Sequence, residues 1–169
     1  MSDEAFPDVR WGRDRPWLNK PITAFTSSRT GSWIFRKLVP YDHKLLVRSR
    51  GRYTILGPVG VPLLLLHTVG AKSGERRTNP LTYMRSGNRI FLVGSNFGQE
   101  KHPAWSWNLL ANPDASVSIG GAEIPVTATQ LHGDERDRAF AMFVDFTKTY
   151  ENYTGRTDRD LRVFALDRR

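Results

Sequence analysis

Between Val61 and Val69 the chain reads Val-Pro-Leu-Leu-Leu-Leu-His-Thr-Val. Alternate side chains leave a strand on opposite sides, so a strand this apolar at consecutive positions has to be covered on both faces. A Gly-bounded basic loop follows at once: Gly70-Ala71-Lys72-Ser73-Gly74-Glu75-Arg76-Arg77-Thr78-Asn79-Pro80. This pair opens a unit that runs to Pro113, and the remaining sequence serves as its wall or lid.

Turn residues divide the rest of the chain. Thr78–Arg85 and Arg89–Ser95 are strand-like and flank Ser86-Gly87-Asn88, a short hairpin connection. His102-Pro103 can start a helix and Asn112-Pro113 can end it. Ala115–Ile119 and Glu123–Leu131 form a second hairpin around Gly120-Gly121. Asp134 is an apt N-cap for a helix over Glu135–Tyr150, whose Ala139, Met142, Phe143 and Phe146 share a face. Leu161–Leu166 alternates as a last strand, while Gly51–Gly60 is a loop or an irregular strand. Upstream, Gly31–Arg50 has a helical repeat that Pro40 divides into two short helices. Its basic, aromatic face suits packing on its own domain better than lying on an anionic membrane. About six strands in hairpins point to a mainly β (α+β) chain, a small antiparallel barrel with helices packed outside. Residues 1–30 are expected to be an irregular leader and 31–169 a single domain.

The chain has 169 residues, no cysteine and a formal net charge of +8. Disulfide and thiolate chemistry are excluded, and anionic partners are favoured. The N-terminal stretch lacks a charged-then-apolar signal pattern, so a cytoplasmic protein is expected. The loop fails the P-loop pattern, because Leu66 stands where its first glycine belongs. No Gly-x-Ser-x-Gly elbow is present, and His43, His67, His102 and His132 are too scattered for a metal site. What remains is chemistry for a phosphate or carboxylate at Lys72, Arg76 and Arg77. Taken alone, a basic loop of this kind is more often a solvated turn, and Trp105 and Trp107 point to different sides of a helix, where core packing accounts for one of them.

Taken in order, three motifs remove part of that ambiguity. They are Gly70-x-Lys72-Ser73-Gly74-x-x-Arg77-Thr78-Asn79-Pro80-Leu81, Val93-Gly94-Ser95-Asn96, and His102-Pro103-Ala104-Trp105 with Asn108-Leu109-x-Ala111-Asn112-Pro113. Together they closely resemble the deazaflavin-dependent nitroreductases and F420H2-dependent quinone reductases, over roughly Leu45 to Arg159. The resemblance implies a split β-barrel like that of flavin reductases and a hydride donor, reduced coenzyme F420. It implies that Lys72, Ser73, Arg77, Thr78 and Asn79 hold the cofactor's phosphate and acidic tail. Pro80, Leu81, Thr82, Val93, Gly94, Ser95 and Asn96 would line the ring and its linker, with Ala104, Trp105, Ser106, Trp107 and Asn108 along the other side. Ser95 falls where the family places a hydroxyl near the reactive ring, and Tyr150 and Tyr153 on the substrate-pocket segment. From spacing alone those tyrosines serve equally to close the barrel end. Two positions depart from the family pattern: Thr147 replaces a substrate-side tyrosine, and Phe97 replaces a glycine.

The expected function is hydride transfer from reduced F420 to a small electron-poor acceptor, a quinone or nitro compound. A weak peripheral membrane contact at the inner face accompanies it. The rivals are an FMN-dependent split-barrel oxidase or reductase and a basic barrel that binds nucleic acid; no nucleic acid and no metal are expected.

Overall fold

The computed structural model describes residues 6–7, 44–54, 61–146, 150 and 160–169. Most of the expected leader, the helices expected before residue 44, Thr147 and Tyr153 lie outside these. Seven strands, β1 (Leu63–Val69), β2 (Arg76–Thr82), β3 (Met84–Ser86), β4 (Arg89–Val93), β5 (Asp114–Ile119), β6 (Ala122–Leu131) and β7 (Val163–Arg168), form one sheet in the order β2-β1-β5-β6-β7-β4-β3. Every pairing is antiparallel. Helix α1 (Ala104–Ala111) packs against β1 and sends Trp105 and Leu109 into the interior, while α2 (Gly133–Phe146) packs against β7 on the outer face of the sheet.

The single strand expected over Thr78–Arg85 is two. Its first part begins at Arg76 and pairs with β1, Leu64 opposite Leu81 and Thr68 opposite Arg77. Its second part pairs with β4, Met84 opposite Phe91. The chain changes partner at Tyr83, whose N–H donates to the Pro62 carbonyl at 3.2 Å. The two edges of the sheet are therefore consecutive pieces of one segment, and the sheet curls on itself as a split barrel. Curling in this way removes long open edges that would otherwise pair with other chains.

Strand alternation sorts the apolar residues into two clusters. Leu64, Leu66, Ile90, Leu92, Val117, Ile124, Val126, Phe164 and Leu166 fill the barrel interior. The intervening Phe91, Val93, Val163 and Ala165 face outward and are covered by Ala139 and Phe143 of α2. That two-sided burial explains why Ile90–Val93 of β4 and Val163–Leu166 of β7 are apolar at consecutive positions, where the expected last strand over Leu161–Leu166 was to alternate. Fully burying each large side chain contributes roughly 1.5–3 kcal/mol. Asp134 does not cap α2 from outside; the helix begins at Gly133 and holds Asp134 and Glu135 in its first turn, where negative charge is favourable. Phe6, expected in an irregular leader, is buried in the interior cluster, and its carbonyl accepts a hydrogen bond from Arg85 Nη1 at 2.5 Å. Residues 44–48 are helical, and the turn after them rests on the β5–β6 hairpin, where Gly121 N–H donates to the Arg50 carbonyl at 3.1 Å.

Candidate cofactor site

The loop after β1 is shaped by two glycines. At Gly70 an added Cβ would lie 2.5 Å from Ser73 Oγ, and Gly74 takes φ +68°, a conformation side chains disfavour. Gly70 N–H donates to the Glu75 carbonyl and Gly74 N–H to the Gly70 carbonyl, each at 2.8 Å. Asn108 braces this loop from α1. Its Oδ1 accepts the Ala71 N–H at 3.0 Å, and its Nδ2 donates to Thr68 Oγ1 at 3.0 Å. Asn108 and Thr68 are both buried, so leaving these groups unpaired would cost about 1–3 kcal/mol each.

The braced loop and α1 enclose a cavity of about 930 Å³, at the upper end of the usual size of small-molecule sites. One wall comes from the loop and β2, namely Gly70, Ala71, Lys72, Ser73, Arg77, Thr78 and Asn79. The other is a helical face, Ala104, Trp107, Asn108, Leu110 and Ala111. Of these, Gly70, Ala71, Leu110 and Ala111 were not anticipated. The last two carry a legible signal, because they stand three and four residues beyond Trp107 on the same side of a helix.

Electrostatically the loop wall is cationic. Among the described residues Lys72 has no carboxylate partner, whereas Arg77 pairs with Glu75 at 2.7 Å across an exposed contact. Such exposed pairs contribute at most about 1 kcal/mol, so an incoming anion can take over Arg77 at small cost. Arg76 leaves the group. It points to the opposite strand face and pairs with Glu123 at 2.7 Å. Glu123 also accepts a hydrogen bond from Ser116 Oγ at 2.6 Å, which together with Arg76 holds its carboxyl below the usual value. On that outer face His67 lies between Thr78 Oγ1 at 2.9 Å and Ser118 Oγ at 2.8 Å. Burial, and then the Arg76 charge, lower its pKa.

The two tryptophans separate as a helix requires. Trp105 is 5 % exposed and packs edge-on to Phe164 in the interior, at 5.7 Å between ring centres; Trp107 is 51 % exposed and faces the cavity. Ser106, also expected beside the ligand, is fully buried and donates to the Pro103 carbonyl at 2.8 Å. Pro80, Leu81 and Thr82 continue β2 beyond the cavity, with Leu81 against the interior cluster. Val93 belongs to the cluster under α2. Gly94, Ser95 and Asn96 follow β4, where Asn96 takes φ 45° and its Nδ2 donates to the Lys101 carbonyl at 2.8 Å. None of these lines the cavity. Tyr150 lies against Phe143 at 5.1 Å, within the cluster under α2.

The arrangement fits a ligand with one planar apolar part and one anionic part. The indole offers a flat apolar surface, while Lys72 and Arg77 offer charge-assisted donors for phosphate or carboxylate. Among the described residues no group of three or more His, Asp and Glu could hold a metal ion, and no helix is long and apolar enough to cross a membrane.

Comparison with known proteins agrees with that chemistry. The family model described as F420H(2)-dependent quinone reductase matches residues 43–168. An F420H(2)-dependent quinone reductase of Mycobacterium tuberculosis strain H37Rv is 38% identical over 124 residues, covering 72% of this chain and 83% of that protein. Among solved structures, an F420-H2 dependent reductase, FDR-A, is 37% identical with a TM-score of 0.59, covering 63% of this chain and 94% of its own. A structure described as a domain-swapped dimer is 32% identical with a TM-score of 0.60, covering 76% and 98%.

Proposed function

Because the chain belongs to the F420H(2)-dependent quinone reductase family, we propose that it binds reduced coenzyme F420 between the basic loop and α1 and uses it to reduce a small quinone. The observation that carries this reading is the pairing, in one cavity, of Lys72, which has no carboxylate partner among the described residues, and the exchangeable Arg77 with the flat wall of Trp107. When bound, the reduced deazaflavin supplies the hydride for the acceptor.

The chain's own residues bind and orient. Lys72 and Arg77, with Ser73, Thr78 and Asn79, take the phosphate and acidic tail. Trp107, Ala104 and Leu110 cover the apolar part and exclude water, and Asn108 keeps the loop at a fixed distance from that wall. A preset distance lowers the entropic cost of bringing cofactor and acceptor together. Ser95, Tyr150 and Tyr153 remain the proposed hydroxyls on the acceptor side, where a donor stabilises charge developing on a quinone oxygen.

With Arg76 turned away, the basic track towards a polyglutamate tail is shorter than the sequence suggests. Among the described residues, Lys72 and Arg77 are then the cations on the cavity wall that separate F420 from FMN, which lacks that tail. The proposal extends to a cytoplasmic protein with weak membrane contact. Leu45, Val47 and Tyr53 are exposed beside Lys44, Arg48 and Arg50, and an apolar, basic surface of this kind suits anionic lipid. Absence of sedimentation with anionic vesicles at low salt would end that extension.

The activity is tested by following anaerobic oxidation of reduced F420 by menadione. The protein should accelerate it, and Lys72→Ala or Arg77→Ala should raise the half-saturating cofactor concentration about 10- to 100-fold, the worth of a charged hydrogen bond. No acceleration by the intact protein refutes the reading.

A further inference from the structure

Arg162 lies between Leu161 and the start of β7 and belongs to none of the motifs singled out in the sequence. Its guanidinium nevertheless reaches the apolar wall of the cavity. The Cζ stands 3.7 Å from the ring centre of Trp107, and Nη1 donates to Ser106 Oγ at 3.3 Å. Its carbonyl accepts the Gly94 N–H at 2.8 Å. The fit there is close: a Cβ added at Gly94 would lie 3.4 Å from the Arg162 carbonyl oxygen and 3.5 Å from Pro103 Cγ. One residue thus joins the turn after β4 to the first turn of α1.

Among the described residues Arg162 has no carboxylate partner. A half-buried cation without a counter-charge needs another source of attraction, and the negative face of the indole supplies it. Stacking also fixes the indole, which as an exposed side chain would otherwise sample several rotamers. The guanidinium covers one face of the indole, the His102 ring meets it edge-on at 5.9 Å between ring centres, and Trp107 so held lines the cavity.

We propose that Arg162 is a positioning residue for the cofactor cavity, holding Trp107 in the orientation that makes its indole the ligand-facing wall. The effect on cofactor binding rests on the F420 reading above; the effect on Trp107 does not. Arg162 acts through the indole and is not itself placed on the ligand.

The experiment combines Arg162→Gln, Trp107→Ala and the double variant, with Arg162→Lys as a second single variant that keeps the charge but not the planar stack. Without any ligand, the indole N–H resonance of Trp107, assigned by its disappearance in Trp107→Ala, should shift and broaden in Arg162→Gln and do so less in Arg162→Lys. In titrations with oxidised F420, Arg162→Gln should weaken binding about 3- to 30-fold, the span of a cation–π contact. In the Trp107→Ala background the same change should have less than about a 2-fold effect, since coupled residues are non-additive. An unmoved indole resonance in Arg162→Gln, or an equal loss of binding with and without Trp107, overturns the proposal. Should the wild-type protein bind no F420, the functional reading falls, and the resonance alone still decides the role of Arg162.

Discussion

Glu75 limits the basic loop from within. Its carboxylate occupies Arg77 at 2.7 Å. Replacing it with Gln removes that competitor without changing the fold of the turn, since its backbone hydrogen bonds with Gly70 and Ser73 remain. Glu75→Gln should therefore tighten F420 about 2- to 5-fold, on the scale of an exposed ion pair, with the gain shrinking at high salt. Unchanged or weaker binding at low salt would show that Arg77 does not meet the anion. His67 makes a second residue-level prediction. Its folded pKa lies below the ordinary value of 6.5, because burial and Arg76 disfavour the charged ring. The folded state thus binds fewer protons than the unfolded chain. The stability this contributes is complete above the unfolded pKa and is lost as pH falls through the folded one. Melting temperature should fall on acidification below about pH 6.5, and His67→Gln should flatten that part of the curve. An identical slope in the variant would mean that another group is responsible.

At the scale of elements, the outward face of β4 and β7 depends on α2. Phe143 is fully buried between Phe91, Val93 and Val163, and Arg89 ties the same helix down by pairing with Asp167 at 2.8 Å and Glu135 at 2.7 Å. The ion pairs are exposed and contribute little, so the aromatic contact should dominate. Phe143→Ala is expected to cost about 3–5 kcal/mol in urea denaturation, and Phe143→Leu much less. Because Tyr150 rests on the same ring, Phe143→Leu should also lower quinone turnover more than F420 affinity if Tyr150 serves the acceptor side. A variant that loses affinity and turnover in parallel would place Tyr150 elsewhere. β2 shows how a single boundary alters a site. With the strand starting at Arg76 rather than Thr78, Arg76 and Arg77 fall on opposite faces, and only one of them reaches the cavity.

Over the whole molecule, what could be read from the sequence depended on how local its cause was. The basic loop was legible because its charges and glycines are neighbours in the chain. The split of Trp105 from Trp107 followed from helical spacing, and the apolar run of β1 from its lack of alternation; the burial of Val163–Leu166 on both faces was missed, because that stretch reads as alternating. The partner change at Tyr83 was not legible, since no glycine or proline marks it; the curl of the sheet imposes it. Arg162 was equally silent, being 56 residues from the Ser106 it contacts. Phe6 went unnoticed for the same reason, its burial depending on a barrel assembled from residues far along the chain. If this cavity selects a deazaflavin by its anionic tail as well as by its ring, the decisive experiment is a set of titrations. The ligands are F420, the same deazaflavin lacking phosphate and tail, and FMN. F420 should bind tightest, with an advantage over the tail-less form that largely disappears in the Lys72→Ala, Arg77→Ala double variant. FMN binding as tight as F420, or an advantage that survives the double variant, would refute selection by the tail.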